Sequence, residues 1–240
     1  MFKNVYADRA RADAYAALEF PGTYSLAYRD LPAITGAHVR GTKALDFGCG
    51  AGRSTRFLRR LGFDAMGVDI SEPMLAQARE RDPGGEYRLV PDGDLGGLPA
   101  RAFDLALCAF TFDNIPTMEK KIALLGSLKQ RLRSGGRIVN LVSSPEIYMN
   151  EWASFSTREF PENRNARSGD KVLIVMLDVE DRRPVEDILC TDDDYRDAYR
   201  RAGLVPIETY RPLGKPGEWH FWVSETTIAP WVIYVLGDQA

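Results

Sequence analysis

The feature that most constrains this chain is a run of small residues, Asp46-Phe47-Gly48-Cys49-Gly50-Ala51-Gly52-Arg53-Ser54, set between two apolar segments of different period. Ahead of the glycines, Ala44 to Gly48 reads as a buried strand; behind them, Ser54 to Leu61 carries apolar residues at helical spacing. Glycine at 48, 50 and 52 lets the backbone turn sharply and come close to a ligand with no Cβ in the way. The same grammar then repeats. Asp64 to Ile70 predicts a strand and Met74 to Arg81 a helix, Tyr87 to Val90 and Phe103 to Phe110 two more strands, Met118 to Leu132 a helix, and Arg137 to Val142 a strand after the Ser134-Gly135-Gly136 turn. Strands alternating with helices imply parallel crossovers and an α/β sheet.

Around this core the pattern changes twice. Residues 1–40 scatter Tyr6, Tyr15, Phe20, Tyr24 and Tyr28 among alanines and charges, which predicts an N-terminal helical lid broken at Pro21-Gly22. Residues 43–143 are the ligand-binding core. Residues 144–190 form an inserted cap: a polar, turn-rich stretch leads into two strands joined by a turn, within Lys171 to Cys190. Residues 191–240 close the domain. Thr191 with Asp194 three positions on resembles a capping box, so its three aspartates are read as helix-start chemistry, and Leu204 to Tyr210 and Pro230 to Leu236 are the closing strands. A single domain of 240 residues with a cap is the expected organisation.

Several function classes are excluded on simple grounds. The longest apolar runs, Val172 to Leu177 and Trp231 to Leu236, fall far short of the roughly 20 residues that span a bilayer. The N-terminus lacks the apolar stretch of a secretory signal, so a cytoplasmic location is expected. Cys49, Cys108 and Cys190 are widely separated and form no CxxC pair, which predicts neither a disulfide framework nor a metal site. A net charge of -3 gives no overall drive toward phosphate backbones, so the expected partner is a small molecule rather than nucleic acid.

The glycine spacing narrows the ligand. A dinucleotide loop would read GxGxxG, its third glycine packing the helix that holds a pyrophosphate. Arg53 or Thr55 stands at that place, depending on the register, and the fingerprint fails both ways. Asp69, ending the next strand in Gly67-Val68-Asp69-Ile70-Ser71, can accept two hydrogen bonds from vicinal ribose hydroxyls. It supports a ribose ligand without choosing among nucleoside cofactors, and a helix-cap role is the alternative.

These residues together resemble the class I, Rossmann-like S-adenosylmethionine-dependent methyltransferases. The likeness runs over roughly 43–142 and rests on Ala44 to Ser54, Gly67 to Met74, Gly93-Asp94-Leu95 with Leu98-Pro99, Phe103 to Phe110 and the SGGRIV turn and strand. It implies a seven-stranded, mostly parallel sheet with helices on both faces. It also implies S-adenosyl-L-methionine as cofactor and S-adenosyl-L-homocysteine as product. Asp46 would assist the methionine ammonium, Gly48 and Gly50 would pass under the methionine moiety with Cys49, Arg53 and Ser54 of the same turn, and Asp69 would take the ribose. Ile70 and Met74 would flank the adenine, Asp94 and the Leu95 backbone would meet its edge, and Ala109 and Phe110 would border the cofactor. Tyr15 and Tyr24 of the lid would lie against the sulfonium, where aromatic faces attract cations. Asp113 and Asn114 would fall near the methyl group; they depart from the Asp/Asn-Pro-Pro-aromatic motif of relatives that methylate nucleobases or protein amides.

Methyl transfer from a sulfonium is an in-line displacement, for which positioning can supply roughly 7 to 11 kcal/mol. A base is optional. Of the two histidines, His38 is expected to face solvent, and His220 in Glu218-Trp219-His220-Phe221-Trp222 is the candidate base; with Asp113 and Asn114 it makes up the candidate catalytic set. Tyr148, Glu151, Trp152 and Trp222 are the candidate substrate contacts for an aromatic or heterocyclic metabolite. Two other readings remain: an RNA or protein methyltransferase, for which Arg158, Arg164, Arg167 and Lys171 are the modest basic cluster, and a non-catalytic scaffold on the same fold. The expected assembly is a monomer or homodimer.

Overall fold

The computed structural model describes residues 19–218 and 221–238. After the helices α1 (Gly22–Arg29) and α2 (Leu31–His38), the chain enters β1 (Lys43–Phe47), α3 (Arg53–Arg60), β2 (Asp64–Asp69), α4 (Glu72–Arg81), β3 (Glu86–Leu89), β4 (Phe103–Ala109), α5 (Met118–Arg131) and β5 (Leu132–Ser143). It continues through β6 (Phe155–Ser156), β7 (Lys171–Met176), β8 (Val185–Ile188), α6 (Asp192–Arg201), β9 (Leu204–Tyr210) and β10 (Trp231–Asp238). Seven strands form one sheet in the order β3-β2-β1-β4-β5-β10-β9, the first five parallel and the last two antiparallel to their neighbours. The expected Rossmann-like architecture is therefore present.

Side chains of the central strands alternate between two cores, which is why these strands read as unbroken apolar runs. Ala44, Leu105, Leu107, Val139, Leu141, Ile233 and Val235 pack on the side of α1, α2 and α3. Leu45, Ala106, Cys108, Ile138, Val142, Val232 and Tyr234 pack on the side of α5 and α6. The expected Ser134-Gly135-Gly136 turn sits inside the edge of β5, where the register against β4 shifts between Phe103 and Leu105 and Gly135 adopts φ +78°.

Strands β6, β7 and β8 form a separate antiparallel sheet of three within 155–188. Its inward residues, among them Phe155, Val172, Ile174, Met176 and Val185, belong to the same core as α1 and α2, so this insertion packs on the main sheet instead of standing apart. Thr191 caps α6, its hydroxyl accepting from the Asp194 N–H, as its spacing predicted. All three cysteines are buried and unpaired, and no metal-binding group of His, Cys, Asp or Glu occurs among the described residues. No helix among them is long and apolar enough to cross a membrane.

Candidate functional site

The carboxyl ends of β1, β2 and β4 open onto a cavity of about 670 Å³, in the size range of small-molecule sites and at the place where open α/β sheets hold ligands. Three glycines of the turn after β1 lie in the left-handed region, Gly48 at φ +74°, Gly50 at +53° and Gly52 at +79°. At Gly48 a Cβ would sit 2.3 Å from Thr111 Oγ1, which itself donates to the Phe47 carbonyl at 2.7 Å, so both conformation and space demand glycine. The N–H groups of Gly48 and Cys49 both donate to Val68 O, at 2.8 and 3.0 Å, which ties this turn to the end of β2.

There Asp69 meets it. Its Oδ2 accepts from the Gly50 N–H and its Oδ1 from the Ser71 N–H, both at 2.8 Å. Desolvation pushes its pKa up, opposed by the N–H groups of Gly50, Ser71 and Ile70. A carboxylate offers about four acceptor sites, so these bonds orient Asp69 and leave capacity for a ligand's hydroxyls. The buried Ser71 Oγ beside it has no partner among the described residues. Ile70, Met74, Val90 and Leu124 add apolar wall, and Asp92, at φ +54° and ion-paired with Lys120, completes that rim.

Beyond β4 the wall turns aromatic. Phe110 takes φ +63° as the strand ends, its N–H donating to Leu141 O at 2.8 Å. Its ring lies 4.7 Å from Trp231 and 5.9 Å from Tyr24, and Phe155 lies 4.9 Å from Tyr24. The wall also carries two acids. Asp113 accepts from the Ser143 N–H and Oγ, each at 3.0 Å, and Asp187 accepts from Tyr148 at 3.0 Å. Burial, first, and each other's charge hold Asp187 well above the ordinary carboxylate range; burial likewise raises Asp113, against the Ser143 N–H and the positive Lys121. Lys121 is itself buried, gives its Nζ to the Phe112 carbonyl, and has its pKa lowered by desolvation.

Of the residues singled out from sequence, Tyr24, Gly48, Gly50, Asp69, Ile70, Met74, Ala109, Phe110, Asp113, Asn114 and Tyr148 line this one cavity. Tyr15 and His220 lie outside the described residues. The rest stand off the wall, each for a local reason. Asp46 is fully buried; its Oδ2 accepts from Ser54 and Thr55 hydroxyls at 2.6 Å, and its Oδ1 has no partner among the described residues. Arg53 lies over the rings of Tyr24, Tyr28 and Phe20 and donates to Glu19 O, while Cys49 packs with Leu75, Ala78 and Tyr87. Asp94 is exposed and accepts from the Gly96 N–H, and Leu95 is core. Glu151 braces Ser156 and Thr157; Trp152 is core, its Nε1 donating to Ile147 O; Trp222 donates to Lys215 O. His38, expected to face solvent, is half-buried and bonds Tyr210 at the end of the edge strand β9, off the cavity wall.

Phe155, which the sequence offered among the cap aromatics, is on the wall as well, whereas Ser71, Asp92, Asp187 and Trp231, also on the wall, were not singled out from sequence. Asp92 carried a signal: it stands two residues from Asp94 in a turn, and an aspartate tolerates positive φ. Asp187 carried none, since only the fold of β8 brings it opposite Asp113.

Comparison with known proteins agrees with this geometry. A family model described as "Methyltransferase domain" matches residues 45–140. An uncharacterized methyltransferase of Geobacillus is 34% identical over 107 residues, 44% of this chain and 49% of that protein. A ubiquinone biosynthesis O-methyltransferase of Methylococcus capsulatus is 34% identical over 89 residues, 35% of this chain and 38% of that protein. A malonyl-[acyl-carrier protein] O-methyltransferase of Salmonella typhimurium is 44% identical over 78 residues, 32% and 29% of the respective chains. The matches thus span half or less of these three relatives' own length. Among solved structures, the CcbJ methyltransferase from Streptomyces caelestis shares the fold with a TM-score of 0.65 at 16% identity, over 92% of this chain and all of that one. The 1,6-didemethyltoxoflavin-N1-methyltransferase of Burkholderia thailandensis, solved with 1,6-didemethyltoxoflavin and S-adenosylhomocysteine, does so with 0.55 at 20%, over 89% and 79%.

Proposed function

We propose, from the premise that this chain belongs to the class I, Rossmann-like S-adenosylmethionine-dependent methyltransferases, that it transfers a methyl group to N, O or C of a small aromatic or heterocyclic metabolite. The observation that carries the reading is Asp69. Its carboxylate is clamped by the Gly50 and Ser71 N–H groups on the wall of the cavity, beside a turn whose glycines leave room for a nucleoside. The residues present fit the cofactor. Asp69 retains acceptor capacity for two vicinal hydroxyls, the orphaned Ser71 Oγ lies next to it, and Ile70, Met74 and Val90 offer apolar faces to a flat base. When bound, S-adenosylmethionine would supply a methyl group activated by its positively charged sulfur.

The chain's own part is to bind, align and keep out water. Tyr24, Phe110 and Trp231 form an aromatic wall that favours a cationic centre and a flat acceptor alike, worth about 0.5 to 2 kcal/mol where desolvated. A cavity of about 670 Å³ walled by apolar side chains suits a small molecule better than a polymer. A neighbour solved with the heterocycle 1,6-didemethyltoxoflavin and a relative named for ubiquinone biosynthesis support a small-molecule acceptor. Calorimetry tests the reading. Asp69→Ala should weaken adenosylmethionine binding at least tenfold, with Asp69→Asn intermediate; unchanged affinity in a folded variant would move the nucleoside elsewhere.

A further inference from the structure

One part of the cavity wall, around Asp113 and Asp187, differs in chemistry from the rest. Asp113 and Asp187 both line it, at 4% and 8% exposure. Tyr148 donates to Asp187 Oδ2, and no donor among the described residues reaches Oδ1. Neither carboxyl has an ion-pair partner among the described residues; buried Lys121, which gives its Nζ to the Phe112 carbonyl, is the neighbouring cation and its charge acts on both acids. Lys120 is the one basic side chain among the described residues of the wall, and it pairs with Asp92. Two buried acids beside a single lysine carry an excess of negative charge when both are ionised, which is costly unless a second cation reaches them.

We infer that this part of the wall receives the amino nitrogen of the methyl acceptor, so that the substrate class is an amine and Asp187, supplied by the inserted sheet, selects it. The inference rests on the methyltransferase reading above and names the acceptor for that same site. An acceptor bearing a carboxylate or phosphate would meet two acids and no available base. An ammonium satisfies the open Asp187 oxygen and is flanked by the Tyr24, Phe155 and Trp231 rings.

The proton has a place to go. The bound ammonium passes one proton to the Asp187 carboxylate, freeing the nitrogen lone pair. That pair forms the new C–N bond to the donated methyl as the C–S bond breaks, its electrons staying on sulfur. The product leaves as the methylated ammonium, and Asp187 returns its proton to water. Besides the two acids, the titratable groups packed around this part of the wall are Tyr148, Tyr195, Cys190 and Lys121, with Glu186 flanking on β8. Burial raises both phenols and pushes the Cys190 thiol up to about 12, so they stay neutral and the acid pair, together with Lys121, sets the charge. That pair retains a proton at a pH where ordinary carboxyls have lost theirs, and an arriving ammonium displaces it.

Calorimetry on the full chain saturated with S-adenosylhomocysteine tests this, with benzylamine and tryptamine against benzyl alcohol and phenylacetate, in two buffers of different ionisation enthalpy. The amines should bind at least tenfold tighter than the alcohol or the acid and release a proton on binding at pH 7. Asp187→Asn should lose at least tenfold for the amines and keep its affinity for S-adenosylhomocysteine. Absent amine binding, equal affinity for the alcohol, no proton release, or a variant that keeps the preference would each overturn the inference. Should the variant not fold, the wild-type panel and its proton release decide. S-adenosylhomocysteine is titrated first: failure to bind it removes the methyltransferase reading, whereas binding without amine preference removes only this inference.

Discussion

Asp46 stores the largest electrostatic cost at a single residue of the glycine turn. It is fully buried, and desolvation lifts its pKa to about 6 despite the Ser54 and Thr55 hydroxyls. A carboxyl whose folded value exceeds its unfolded one favours the fold while protonated, and that contribution is lost as the pH rises through the folded value. Between about pH 4 and 6 the wild type should lose on the order of 3 kcal/mol relative to Asp46→Asn, which cannot ionise. Urea denaturation of both proteins across that range would show it, and parallel curves would refute it. Asp69 and the glycines were legible in the sequence because their chemistry is local: positive φ needs glycine, and a strand-end acid faces the turn before it. Asp46 was legible as an acid at the right place, yet its direction was not, since two hydroxyls from the first turn of α3 claim it. The exchange of Asp92 for Asp94 at the rim has the same origin, a turn whose backbone angles the residue types alone do not fix.

At the scale of elements, one buried side chain joins three segments. Glu225 accepts from Thr23 Oγ1 on α1 at 2.6 Å, from the Ala153 N–H of the insertion at 2.7 Å, and from the Val223 N–H of its own loop at 2.7 Å. Removing it leaves those donors without their acceptor, each a cost of about 1 to 3 kcal/mol where buried. Glu225→Ala should therefore lower stability by about 2 to 4 kcal/mol and loosen α1, seen as faster amide exchange in 22–29, while β1 to β4 keep their protection. The strands and helices of the parallel core were readable from period and turn residues, with ends shifted by a residue or two except at β5, which begins at Leu132 and takes in the expected glycine turn. In the insertion, the β7 and β8 hairpin was readable as two strands joined by a turn. The pairing of Phe155–Ser156 with β7 was not, because two residues carry no period.

For the whole molecule, β10 is last in sequence but interior to the sheet, paired to β5 on one side and to the edge strand β9 on the other. A chain shortened to residue 229 would leave the apolar β5 edge and both cores open. It should lose its near-ultraviolet circular dichroism and bind hydrophobic dyes; a native spectrum would contradict this. The alternation of buried side chains onto two cores was visible only as continuous hydrophobicity, which fixes an α/β class without saying which residue faces which side.

The cavity has two parentages. The Asp69 wall lies within the stretch that matches the methyltransferase model, whereas Tyr24, Tyr148, Phe155, Asp187 and Trp231 fall outside it. On the proposed reading, substitutions at Tyr24, Tyr148, Phe155, Asp187 and Trp231 should retune the choice of acceptor while leaving the Asp69 wall and its hold on the nucleoside unchanged.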